Sequence, residues 1–70
     1  PNPVRDRVQI RSEWDNPLHY ELRDALGRLI LQGNFKEQKT LPLEKLNPGI
    51  YLLRIRDQNK YQYIRRLKKQ

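Results

Sequence analysis

Leu18-His19-Tyr20-Glu21-Leu22-Arg23-Asp24-Ala25-Leu26-Gly27-Arg28-Leu29-Ile30-Leu31-Gln32 alternates in polarity up to a turn and resumes as apolar strand-like sequence after it, and this decides the fold. Leu18, Tyr20 and Leu22 fall on one parity, His19, Glu21 and Arg23 on the other. A period of two belongs to a strand with one buried face. Asp24-Ala25-Leu26-Gly27 interrupts it as a short hairpin loop, with Gly27 supplying a positive φ at a bulge. Residues 28–32 return as the partner strand, and Gly33-Asn34 reads as its exit turn.

The same period runs outward in both directions. Val8 and Ile10 alternate with Arg7, Gln9 and Arg11 as a first strand over 7–12. Trp14-Asp15-Asn16-Pro17 is turn chemistry, with Trp14 expected as a lid on one end of the domain. Residues 39–43 form a weaker strand with Leu41 and Leu43 on one face. Pro42 cannot donate to a ladder, so this strand belongs at an edge. Residues 44–49, with Pro48 and Gly49, make a turn of one helical turn at most.

Residues 50–56 are the most apolar strand, with both parities filled, which predicts cover on both faces for part of its length. Asp57-Gln58-Asn59-Lys60 is a hairpin loop and 61–68 the last strand. There Tyr61, Tyr63 and Leu67 share one parity and Ile64 takes the other, a conflict that implies a twist, a bulge or a shifted register. Six short strands with Gly, Pro and Asn turns between them predict an all-β, small antiparallel sandwich; a half-open barrel fits the same pattern.

Composition narrows the function. Seventy residues make one domain near the lower limit for unaided folding. Without Cys there is no disulfide framework and no thiolate metal cluster, and a single His is too few for a protein-built zinc site, so no metal and no cofactor is expected. The chain has no Met, position 1 included, which leads us to expect a module excised from a larger protein. No apolar run approaches the length of a transmembrane helix, and no secretory signal pattern is present.

Net charge is +7, with an isoelectric point near 10.2, and it is unevenly placed. Residues 54–70 carry Arg54, Arg56, Lys60, Arg65, Arg66, Lys68 and Lys69 against Asp57 alone, a balance of +6; the eight basic and seven acidic residues before them balance to +1. Such asymmetry suits a tail that meets an acidic surface. The competing explanation is that Lys and Arg guard an edge strand against association, in which case any charge would serve.

Enzymatic chemistry finds no support. Ser12, Thr40 and His19 are each the single residue of their kind, no nucleophile has a base beside it, and the acids are scattered among basic neighbours. Tyr61 and Tyr63 among Lys60, Arg65 and Arg66 resemble a stacking platform for bases, but without RNP-like or GxxG motifs they read as ordinary strand aromatics, and nucleic acid is not expected as a partner. Gly27, Gly33 and Gly49 are placed as turn glycines, and none opens a phosphate loop.

Three segments in fixed order carry a further signal: Pro1-Asn2-Pro3 followed by Val8 and Ile10; Leu22 to Leu29 around Asp24 and Gly27-Arg28; and Leu46 to Ile55 around Pro48-Gly49-Ile50-Tyr51. With the closing Arg65-Arg66-Leu67-Lys68-Lys69, they make the chain resemble the C-terminal sorting domain of type IX (Por) secretion system cargo proteins of Bacteroidetes, over 1–69. The resemblance implies an Ig-like β-sandwich of seven strands where the alternation yields six. It implies a non-catalytic signal that sends its parent protein through the periplasm and across the outer membrane to the surface or the medium. The implied partners are the type IX translocon, outer-membrane shuttle proteins and, in many members, a sortase-like surface protease. By position, Pro1, Asn2, Pro3, Gly49, Tyr51, Arg65, Arg66, Leu67, Lys68 and Lys69 match the segments linked to recognition, while Asp24, Gly27 and Pro48 serve turns. The alternative is an Ig-like interaction module, retained on its parent, that binds an acidic partner.

Overall fold

In the computed structural model, residues 3–13, 16–58 and 62–70 are described, with the backbone alone for 3–4. Seven strands follow in order: β1 (Pro3–Val4), β2 (Arg7–Arg11), β3 (Leu18–Asp24), β4 (Leu29–Phe35), β5 (Gln38–Pro42), β6 (Gly49–Arg56) and β7 (Gln62–Lys69). The molecule is a small Ig-like β-sandwich. One sheet has the order β1-β7-β6-β3-β4; the other is the pair β2-β5. Every pairing is antiparallel except β1 with β7.

The alternation in β3 decides which face is buried. Leu18, Tyr20 and Leu22 point inward and meet Phe35, Gly33 and Leu31 of β4 on one side and Ile55 and Leu53 of β6 on the other. Ile10 of β2, Leu41 of β5 and Leu43 just beyond it close the core from the second sheet. Leu22 and Leu41 are fully buried, so they sit where the two layers press together.

Three expectations change. Gly33 and Asn34 do not end β4; they lie inside it, and the strand runs to Phe35. Gly33 has no positive φ. Its value is space: a Cβ there would stand 3.0–3.2 Å from the Tyr20 ring, which lies across it. The Tyr20 ring then reaches Phe35, the two tilted at 57° with centroids 6.1 Å apart.

Second, β6 is covered on one face only. Tyr51, Leu53 and Ile55 are buried while Ile50 and Leu52 stay 39% and 45% exposed, because both strands of the small sheet pack on the inner side. Third, the parity conflict in the last strand needs no bulge. β7 pairs with β6 in unbroken register from Gln62 to Lys69, with Leu67 opposite Tyr51, Tyr63 opposite Ile55, and Ile64 turned outward at 56% exposure. The turn expected over 44–49 is present, closed by a Leu46 N–H to Leu43 carbonyl bond of 3.0 Å. The register slip is elsewhere, between Leu22 and Arg23 in the β3–β4 hairpin. Trp14 and the Asn59-Lys60-Tyr61 part of the last loop and strand lie outside the described residues.

Candidate functional site

Three strands bring together what the sequence separates. Pro3 lies opposite Lys68 and Val4 opposite Lys69 across the parallel β1–β7 pairing. On the other side of β7, Gly49 lies opposite Lys69, Ile50 opposite Lys68 and Leu52 opposite Arg66. The opening segment, the Pro-Gly-Ile-Tyr segment and the basic ending therefore form neighbouring strands at one end of the large sheet. Asp24 pairs with Tyr51, which puts the β3–β4 turn at that same end. Pro1 and Asn2 lie outside the described residues.

Each turn at this end has its own lock. The Asp24 carboxylate accepts from the Leu26 and Arg28 amides, both at 2.9 Å, through Oδ1, and from Arg28 Nε at 2.7 Å through Oδ2. Main-chain bonds run from the Gly27 amide to the Asp24 carbonyl and from the Asp24 amide to the Arg28 carbonyl, each 3.0 Å. Gly27 at φ +86° lets the chain reverse inside this set of bonds. The Arg28 amide, its guanidinium and the Leu26 amide hold the Asp24 carboxyl below its ordinary 3.8, since each donates to the charged form.

The second turn is closed by Tyr51, whose hydroxyl donates to the Asn47 carbonyl oxygen at 2.6 Å. This hydroxyl-to-backbone bond around a corner resembles the tyrosine corner of Ig-like sandwiches. Between the two residues lie Pro48 and Gly49, the latter at φ +153°, where an L side chain is strained.

The residues of the basic ending divide by parity. Leu67 is buried in the core opposite Tyr51. Lys69 is 7% exposed, and its Nζ donates to the Gln70 main-chain oxygen at 3.0 Å, so its charge faces its own chain. Arg65, Arg66 and Lys68 stand in solvent. Arg66 and Lys68 belong to the outer face of the large sheet; Arg65, opposite Leu53, belongs to the inner side, beside an open cleft of roughly 570 Å³ bounded by Val8, Ile10, Phe35, Ile55 and Tyr63.

Sequence reasoning did not single out Val4, Ile50 or Leu52, which the pairing places against the basic ending. The signal available was the surplus parity of the sixth strand: with Tyr51 and Leu53 inward, Ile50 and Leu52 must face out beside Lys68 and Arg66. Arg5, which follows β1, reaches the Gln70 side chain at 3.4 Å and ties the two ends of the described chain together.

Residues 1–70 match the family model described as the secretion system C-terminal sorting domain. No curated protein and no solved structure matches the chain.

Proposed function

The chain belongs to the secretion system C-terminal sorting domain family of type IX secretion, and from that membership we propose that it carries its parent protein across the outer membrane by docking on the type IX translocon. The family's role is that of a secretion sorting signal bound for the outer-membrane surface or the medium. The finer steps are transit through the periplasm, hand-over to an outer-membrane shuttle protein and, where removal occurs, cutting by a sortase-like surface protease.

One observation supports this reading above the others: β1, β7 and β6 gather Pro3, Lys68 and Gly49-Ile50 into one continuous surface at one end of the sheet. A translocon serving many unrelated cargoes must read something the cargo itself does not supply. Rigid turns and an exposed cationic strand give it such a feature, by charge steering and by hydrogen bonding to main-chain edges. Gly49, Arg66 and Lys68 are the residues placed to be touched. Pro3 contributes through its backbone position, whereas Tyr51 and Leu67 act by holding the shape.

The test fuses the chain behind a reporter bearing an ordinary periplasmic export signal, in a bacterium with an active type IX system. Reporter at the cell surface or in the medium is the expected result, and it should depend on the translocon. A folded fusion that remains in the periplasm overturns the reading and favours an interaction module kept on its parent.

A further inference from the structure

Among the described residues the outer face of the five-stranded sheet has no second layer, and its aliphatic and cationic side chains pair across the strands. Ile50 stands opposite Lys68, Leu52 opposite Arg66 on one side and Arg23 on the other, Ile64 opposite Arg54, and Leu29 opposite Arg23. Every exposed aliphatic side chain here thus faces a cation on the neighbouring strand. The aliphatics are substantially open, from 39% at Ile50 to 56% at Ile64.

The charge on this face is one-sided. Arg23, Arg54, Arg56, Arg66 and Lys68 lie on it; among the described residues the acid facing them is Glu21. Glu21 is already engaged, with Arg23 at 3.6 Å, Arg54 at 3.7 Å and His19 at 3.9 Å. Its carboxylate spans β3 and β6 and leaves Arg56, Arg66 and Lys68 without an acid across the strand pairs they occupy.

A protein interface concentrates apolar residues at its centre and sends charges to the rim. This face does neither, since each exposed aliphatic of β6 and β7 has a cation across the strand pair in place of another aliphatic. A second copy of the chain is disfavoured because equal positive faces repel. An anionic lipid surface offers what the pattern needs: phosphates for the guanidinium and ammonium groups, with hydrocarbon just beneath for the aliphatics between them.

We propose that the outer face of this sheet, centred on Leu52, Ile64, Arg66 and Lys68, binds peripherally to membranes rich in anionic lipid headgroups. This goes beyond the sorting role and does not depend on it, because no translocon is involved in the contact.

Sedimentation of the chain with vesicles of phosphatidylcholine containing phosphatidylglycerol tests the proposal. Binding is expected to these vesicles and to be lost on pure phosphatidylcholine. Arg66→Gln with Lys68→Gln removes two cations, each contributing about fivefold, so affinity should fall roughly 25-fold. Leu52→Ser with Ile64→Ser keeps all charge and should also weaken binding, most visibly at high salt. Far-UV circular dichroism checks that each variant keeps its strands. Equal affinity for neutral vesicles overturns the proposal, as does unchanged binding in either folded variant. Saturable binding to an acidic peptide without vesicle binding also overturns it, and assigns the face to a protein partner. Reporter export is a separate readout, so failure here with normal export leaves the sorting role standing.

Discussion

The hydroxyl of Tyr51 donates to the carbonyl oxygen of Asn47 at 2.6 Å, so the residue that anchors β6 in the core also closes the turn holding Pro48 and Gly49. Tyr51→Phe keeps the ring and deletes this bond. Stability should fall by about 0.5–1.5 kcal/mol, measured as a lowered midpoint in urea with unchanged slope. A variant as stable as the parent would show that the corner is held by Pro48 and packing alone.

Asp24 makes the β3–β4 turn sensitive to acid. Its carboxyl is held below the ordinary value of 3.8 in the folded chain, so its contribution is complete above that value and disappears as pH falls through the lower folded one. Asp24→Asn should therefore melt below the parent at neutral pH, and the gap should close as pH falls below the ordinary carboxylate value of 3.8 and on through the lower folded one. A gap constant with pH would mean that amide and carboxylate hold the turn equally well.

Two backbone positions should respond in opposite directions. Glu37 adopts φ +74° in the turn that carries the chain from the large sheet to the small one. A side chain there is strained, and Glu37→Gly is expected to stabilise by roughly 0.5–1 kcal/mol. Gly27 at φ +86° has open space around it, so Gly27→Ala isolates the backbone cost, about 1–2 kcal/mol of destabilisation. Thermal melts of both variants decide the matter, and shifts of the same sign would contradict it.

How much of this was legible follows from how each segment earns its conformation. The hairpin around Asp24 and Gly27 was readable because local chemistry dictates it. Leu41 and Leu43 were readable because their parity has one burial solution, and both are buried. Gly33 misled because a glycine signals a turn from sequence alone, whereas here the space is taken by Tyr20, thirteen positions away, a contact that only the fold creates. Ile50 and Leu52 read as covered because both parities of their strand are apolar; they lie outside because the second sheet packs on the opposite face, and Ile64 shares their side. β1 is two residues long and holds a proline, too short for any periodicity, and it exists as a strand because β7 offers an edge. The gathering of the terminal segments is likewise a product of pairing order, which local alternation does not encode.

The basic ending separates label from scaffold residue by residue. Leu67→Ala opens a cavity in the core, at a cost of about 2–5 kcal/mol. That is comparable to the whole stability of a domain this small, about 3–5 kcal/mol, so reporter export should fail together with the fold. Arg66→Glu with Lys68→Glu alters solvent-exposed positions, and each change should shift stability by no more than about 0.5 kcal/mol. Export should nevertheless drop sharply if the translocon reads charge here, since a reversed rim charge slows encounter with an acidic partner. Lys69→Met keeps the buried stem and removes an ammonium group already turned toward the Gln70 main chain, so it should export normally. Measuring reporter at the surface alongside thermal melts for all three variants distinguishes the readings. If the Arg66 and Lys68 double variant folds and exports like the parent, the translocon does not read the positive charge on β7, and recognition must lie in the turns at Asp24 and Gly49.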